Sequence, residues 1–576
     1  MSRIAAHAAL AVVLTFLAGC DTPPPTQSPP PTQPPPENAG PGTVRLMATL
    51  PPTPPGYITR VTATLFSEGQ PSRVLDLTAT PEGWTEELVG LPALGAYTVV
   101  AQGFDAAHVL HYESDDEHFT FPVSGTTTRP IPLRDRGGHP IPEITRASQS
   151  SPTAEPGQTL TFEVEARDPL ATPLALSWTA NVGEVSEDRT RNTFTWTAPA
   201  CVATAAAPGV LVTVTNFFGA TATRSFPVAG LPTCGPGRWT PTGTLLTARN
   251  NYTATLLATG QVLVAGGYRQ GATSPQDRYL ASAELYDPAT GTWSATGSLR
   301  FARATHEAVR LADGRVLVVG GWATNGTIER SAELYDPATG TWSPTGSTHY
   351  QRRGHTLTPL GDGRVFLEGV EGGSSTSEVY SPATGTWSKA GTPPGSRRRA
   401  HAAAPLPDGT VLVTGGAVGL QDYLIATQVY DPVTDTFRDA ADLREARAYL
   451  TATSLFDGSV LVTGGERGGT LVERYEPAAD AWRLEGALST PRARHRAARL
   501  STGVVLVAGG NTPDALKTAE LYDPATGQWS PTAPMNSGRD DFTMTPLLDG
   551  RVLVLGNNGR TSTSDTPELY EQAPRP

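Results

Sequence analysis

Apolar residues in this chain recur at alternate positions in short runs, with Gly, Pro, Asn and Asp between the runs. Alternation with period two places every second side chain on one face of an extended strand, so each run predicts a half-buried β-strand. Val61, Ala63 and Leu65 form one such face, and Tyr97, Val99 and Ala101 another. Further along, Leu160, Phe162, Val164 and Ala166 alternate, as do Val210, Val212 and Val214. These patterns predict a small β-sandwich over 42–135 and a second over 139–234. Beyond 236 the runs become Val-Leu-Val triplets closed by glycine, the mark of strands buried on both sides. The expected class is all-β.

The triplets belong to an internal repeat. An arginine opens it, at Arg249, Arg303, Arg352, Arg398, Arg447, Arg492 and Arg539. A turn glycine follows eleven residues later in every copy, and another glycine six residues after that closes the triplet. The second glycine is usually doubled, with Val370 and Asn557 breaking the doublet in the third and seventh copies. A (Glu/Gln)-x-Tyr step comes next, with Tyr286 as its first example. An aromatic lies seven residues beyond the tyrosine in the first six copies: Trp293, Trp342, Trp387, Phe437, Trp482 and Trp529. The seventh copy has Tyr570 but no tryptophan after it, whereas Trp239 stands ten residues before Arg249 with no repeat ahead of it. Pairing that leading strand with the last repeat completes seven units and leaves no open sheet edge.

The doubled glycines, the Tyr-Asp-Pro-x-Thr-x-x-Trp run and a period of about 45–54 residues resemble kelch repeats, including those of the galactose oxidase central domain. The resemblance implies a seven-bladed kelch β-propeller over 236–576, one four-stranded blade per repeat. The module over 139–234, with Asp168-Pro169 and Leu176-Ser177-Trp178, resembles bacterial immunoglobulin-like or polycystic-kidney-type repeats, which implies a stalk. The module over 42–135 is similar to prealbumin-like adhesion modules.

The amino terminus changes the picture of where the protein works. Residues 1–20 carry Arg3, an apolar stretch from Ala8 to Leu17, and Leu17-Ala18-Gly19-Cys20. That run resembles a bacterial lipobox, which implies lipidation at Cys20 and a membrane anchor without a spanning helix. Nine of the fourteen residues over 23–36 are proline, so 21–41 is an extended spacer. The expected address is the bacterial cell envelope. The two remaining cysteines, Cys201 and Cys234, read as a disulfide in such an oxidising place. A net charge of −12 with only two lysines, Lys389 and Lys517, argues against a nucleic-acid partner.

For chemistry, the sequence offers more to exclude than to assign. No cysteine follows Cys234, so the cross-linked Cys–Tyr copper site of galactose oxidase cannot form in the repeats. No His-Glu-x-x-His, Gly-x-Ser-x-Gly or phosphate-loop motif occurs, and no catalytic residue, metal or cofactor is expected. His306, His355, His401 and His495 share a register with Tyr252, Leu450 and Phe542, which points to packing. Glu113, Asp115, Asp116 and Glu117 lack the ligand alternation of a calcium loop and read as a solvated turn, with a calcium site left open.

Spacing within the repeat varies only between the closing glycine and the tyrosine: 20, 15, 11, 15, 11, 13 and 14 residues. In a blade that connection lies on the same face as the arginine. Unequal loops on a rigid frame are where recognition resides, so this face is expected to bind a protein or polysaccharide. Tyr268, Tyr279, Trp322 and Tyr423 lie in those loops as candidate anchors. The seven arginines are either ligands for acidic groups or ties between neighbouring blades. A carbohydrate-active hydrolase or lyase is the alternative to a binding protein.

Overall fold

A computed structural model describes residues 43–574 except 51–56, 68–69, 82, 90–95, 107, 109, 116, 121–125, 136–138, 186–189, 204–206, 270–271, 273–277, 325, 370–376, 392–397, 420–421 and 557–565. The lipobox with Cys20, the spacer, Asp116, Val370 and Asn557 lie outside the described residues. Among the described residues, no helix is long and apolar enough to cross a membrane. The chain divides into two compact units, 1–138 and 139–576.

In the first unit the strands make one continuous nine-stranded sheet rather than the two separate sheets of a sandwich. The eleven-residue strand Gln70–Thr80 is the reason. Its first part pairs with Arg60–Ser67 and its last three residues with Gly83–Val89, so the sheet turns along that strand without breaking. Ala63 pairs with Ala101 and Leu65 with Val99, which puts both predicted apolar faces on one buried surface. In the acidic turn, Asp115 lies 2.7 Å from Arg134 and Glu113 accepts from Gln102.

The second unit opens with two packed antiparallel sheets. One holds Glu143–Gln149, Thr159–Arg167, Glu184–Val185 and Thr193–Thr197; the other holds Leu174–Ala180, Gly209–Asn216 and Thr221–Pro227. Between them Trp178 stacks on Phe194 at 5.1 Å, with Phe162 and Phe226 against them.

The rest is a propeller. Among the described residues, seven four-stranded antiparallel sheets follow one another. Their inner strands lie side by side in a closed ring, from Thr253–Leu256 through Thr543–Pro546 and back. Every residue of the second strands is buried. Alternation explains it: Val262 and Val264 pack towards Leu553 and Leu555 of the last blade, while Leu263 faces Val316 and Val318 of the second. Indoles tie the blades further, as Trp342 Nε1 donates to the Gly297 carbonyl at 2.8 Å and Trp387 to Gly346 at 2.9 Å. The ring closes through Cys234–Pro241, which pairs with Glu568–Pro574 and sets Trp239 opposite Tyr570. Trp239 Nε1 then donates to Ala533 of the sixth blade at 2.7 Å, as the other tryptophans do to their neighbours.

The closing strand begins at Cys234, whose sulfur is bonded to Cys201 of the sandwich. A boundary at 234–236 therefore runs through a strand, and the sandwich is packed on the propeller. Gly183 N–H donates to the Ser501 carbonyl at 2.6 Å, and Val182 and Val202 line one cavity with Leu455, Phe456 and Thr502. These are the tight turns after the inner strands of the fifth and sixth blades. The sandwich thus occupies part of the tight-turn face, and the described parts of the unequal loops lie on the opposite one.

Candidate ligand face

The seven repeated arginines are buried, not displayed. None of Arg249, Arg303, Arg352, Arg398, Arg447, Arg492 and Arg539 exceeds 3% exposure. In every blade the arginine donates to the carbonyl of the closing glycine 17 residues on, at 2.9 Å for Arg303 to Gly320. Its other amino group reaches the acid of the (Glu/Gln)-x-Tyr step, at 2.9 Å for Arg303 to Glu333 and 2.8 Å for Arg539 to Glu568. The same carboxylate accepts backbone N–H groups of the connection between blades, Arg300 and Phe301 in the case of Glu333. Two positions of the repeat thus form one buried, bidentate staple that pins both connections on this face. These arginines cannot also hold an acidic ligand, and they leave the set of ligand candidates.

The fourth blade departs from the pattern. Gln428 replaces the acid there and accepts from Arg398 at 2.7 Å. The missing charge is made up first by Glu368 of the third blade, which is buried and acts electrostatically on Arg398, and then by Asp442 beyond the fourth blade's outer strand. Glu368 occupies a second-strand position that holds Ala265, Val319, Thr414, Thr463, Ala508 and Leu555 elsewhere. Burial raises its carboxyl, and the Ser377 hydroxyl and the nearby guanidinium groups of Arg398 and Arg352 oppose that.

Two residues beyond each arginine the backbone turns left-handed in all seven blades: Asn251, Thr305, Gly354, Ala400, Tyr449, Arg494 and Asp541, with φ between 48° and 64°. Six of these are not glycine, at roughly 1–2 kcal/mol of backbone strain each. Bonds between neighbouring blades offset it. Thr305 N donates to the Asn251 carbonyl and Tyr449 N to Ala400, both at 2.8 Å, and Arg494 N to Tyr449 at 3.1 Å. The seven positions form a rim around the mouth of the central channel, and their side chains differ from blade to blade.

Part of that rim is a charged network. Arg494 lies 3.1 Å from Asp541 and 3.3 Å from Glu466, with its guanidinium 4.1 Å above the Tyr449 ring. Tyr423 donates to Glu466 at 2.7 Å, and Arg399 to the Tyr449 hydroxyl at 3.2 Å. Below the rim a cavity of about 470 Å³ opens along the axis, within the range of small-ligand sites. Glu307 and Arg496 face it from the inner strands. Both side chains are exposed to the open channel. The four histidines of the shared register are buried beside the channel. Burial drives His355 down to about 3 and holds His306, His401 and His495 well below the ordinary imidazole value, so all stay neutral.

The Kelch motif model matches residues 251–300, 308–347 and 491–536. The chain carries kelch motifs. Those matches fall on the first, second and sixth blades of this kelch propeller. A solved structure titled "Structure of YjhT" is similar over 51% of this chain and 99% of that one, at 15% identity and a TM-score of 0.39. No curated protein matches the chain in sequence.

On the kelch propeller the four loop aromatics share a face without meeting at one point. Tyr268 and Tyr279 pack edge to face at 5.8 Å in the first blade, with Arg278 near the Tyr268 ring. Trp322 lies under Arg353 at 4.8 Å, and Tyr423 under Arg467 at 5.0 Å. All four are half-buried. Sequence reasoning missed the left-handed rim and the cavity residues. The signal was present: with repeats aligned on the arginine, the position two later is the most varied of that stretch.

Proposed function

We propose that this protein is an envelope-anchored, non-catalytic binding lipoprotein whose kelch propeller recognises a protein or polysaccharide through the face that carries the channel mouth. The observation behind it is the contrast between the two faces. The tight-turn face repeats from blade to blade and is partly taken by the sandwich. The opposite face presents unequal loops, seven dissimilar rim residues and aromatics stacked with arginine, the composition of an interaction surface. Kelch propellers commonly bind proteins, which supports the same reading. The Leu17-Ala18-Gly19-Cys20 run and the proline spacer support the anchor. We read the sandwich as an immunoglobulin-like module that serves as a platform for the propeller, for which its Trp178–Phe194 core speaks.

The test is capture from solubilised envelopes with the chain lacking residues 1–20. The control bait carries Tyr268, Tyr279, Trp322 and Tyr423 changed to Ala. A partner or glycan held by the first bait and released by the second is the expected result. Equal retention by both baits would move the binding surface off this face. Breakdown of a captured polysaccharide during the incubation would replace the binding reading with the hydrolase or lyase one.

A further inference from the structure

Besides the staples, arginines of the loop face meet aromatic rings instead of carboxylates. Arg278 lies 5.9 Å from the centre of the Tyr268 ring in the first blade. Arg353 of the third blade lies 4.8 Å from Trp322 of the second, and Arg467 of the fifth 5.0 Å from Tyr423 of the fourth. The stack of Arg494 on Tyr449 continues the series round the mouth. Arg278 and Arg467 are exposed and Arg353 is half-buried. All of them belong to the connections, where length or side chain changes from blade to blade.

How these guanidinium groups are held decides what they can do. One attracted by the π-face of a ring spends none of its N–H edges on a carboxylate, so its bidentate fork stays available. In the staples that fork is spent inside the blade. Among the described residues, the side chains of Arg278 and Arg467 have no hydrogen bond or ion pair. Glu466 and Asp541, acids of the same face, are already engaged by Arg494. Around the mouth itself four arginines, Arg353, Arg399, Arg494 and Arg496, stand against the two acids Glu307 and Asp541. A chain with a net charge of −12 thus turns positive charge outward at this one place, the field that draws in a polyanion.

We propose that this face binds an acidic polysaccharide, a chain of uronic-acid units whose carboxylates bond the free edges of the stacked arginines. The inference rests on the binding reading above and names its ligand class. The stacks are open and lie on different blades, so no single pocket gathers them. A protein partner takes its affinity from a buried central cluster of anchors. A polymer with a carboxylate on each sugar instead meets dispersed, similar sites at once, and weak contacts then multiply through effective concentration. The rings also hold the guanidinium groups in place beforehand, which lowers the entropy lost on binding.

The test is binding of the chain lacking residues 1–20 to immobilised polygalacturonate and alginate, with dextran as the neutral control and polyglutamate as an acidic polypeptide. At least one polyuronate should bind saturably, about 10-fold or more tighter than either control, and more weakly as salt rises. The triple variant Arg278→Gln, Arg353→Gln, Arg467→Gln should lose about 10-fold or more of that affinity. The same charge change at Arg315, Arg364 and Arg551, which pair with aspartates of the tight-turn face, should leave it unaltered. None of the six belongs to a staple, and thermal melts check that both variants fold. The wild-type series decides independently of them. Three results overturn the proposal: no polyuronate binding above dextran, polyglutamate binding as tightly, or equal losses in the two triple variants. Envelope capture separates this inference from the reading beneath it. A partner held by the wild-type bait and released by the aromatic control, with no polyuronate bound, removes the polysaccharide and keeps the face.

Discussion

Each repeated arginine and the residue two places beyond it are close neighbours in sequence and opposites in the folded protein. The first set is chemically identical, buried and bonded to the closing-glycine carbonyl of its own blade; the second is chemically varied, strained and gathered at the channel mouth. The comparison teaches how to read a repeat. Identity from blade to blade marks the frame, because every blade must solve the same packing problem. Diversity on a backbone of fixed, costly geometry marks the place where the frame is used.

The strongest challenge to that contrast is to remove one staple. Arg303→Ala strands the buried Glu333 carboxylate, and we expect about 3–5 kcal/mol of destabilisation in denaturant unfolding followed by tryptophan fluorescence. A loss below about 1 kcal/mol would place the arginines outside the frame.

The fourth blade sharpens the same point. Glu368→Gln should cost about 2–4 kcal/mol by removing the larger of the two carboxylate attractions on Arg398, with Asp442 supplying the other. Adding Gln428→Glu restores the acid where the other blades carry it, and the double variant should regain more than half of the loss. If the two changes simply add, Glu368 is not the counter-charge.

Acid should act on the frame before it acts on the rim. The channel histidines have folded values below their unfolded ones, so between those values the unfolded chain binds protons that the folded chain refuses. Stability is therefore present above about pH 6.5 and is lost as pH falls, by up to about 1.4 kcal/mol per pH unit for each histidine. His355→Phe should flatten the slope between pH 6 and about 3 by one histidine, measured as unfolding midpoint against pH.

The smallest effect lies on the rim. Ala400→Gly relieves a left-handed alanine with φ of 53° and should stabilise by up to about 1 kcal/mol. The same change at Ala402, whose side chain is buried in a strand, should destabilise instead. Melting temperatures of the pair separate the two settings.

Much of the architecture was legible because a repeat states its rule seven times. The glycine and tyrosine spacings located the blades, and the orphan Trp239 pointed to closure through the leading strand. The arginines were ambiguous, since nothing local says that Arg303 and Glu333, 30 residues apart, share one hydrogen bond. The docking of the sandwich on the propeller was not legible for a similar cause: the contact of Gly183 with Ser501 joins segments over 300 residues apart in the chain.

The sequence by itself determined the all-β class, the strand faces, the repeat and the lack of any cysteine after Cys234. These follow from period-two burial, turn chemistry and residue inventory, all of which act within a few residues. Only the tertiary structure decided which charges are paired, where the sandwich sits and that Glu307 faces the cavity with Arg496. Those facts depend on ring closure, which brings together side chains whose separation along the chain carries no information about their distance in space.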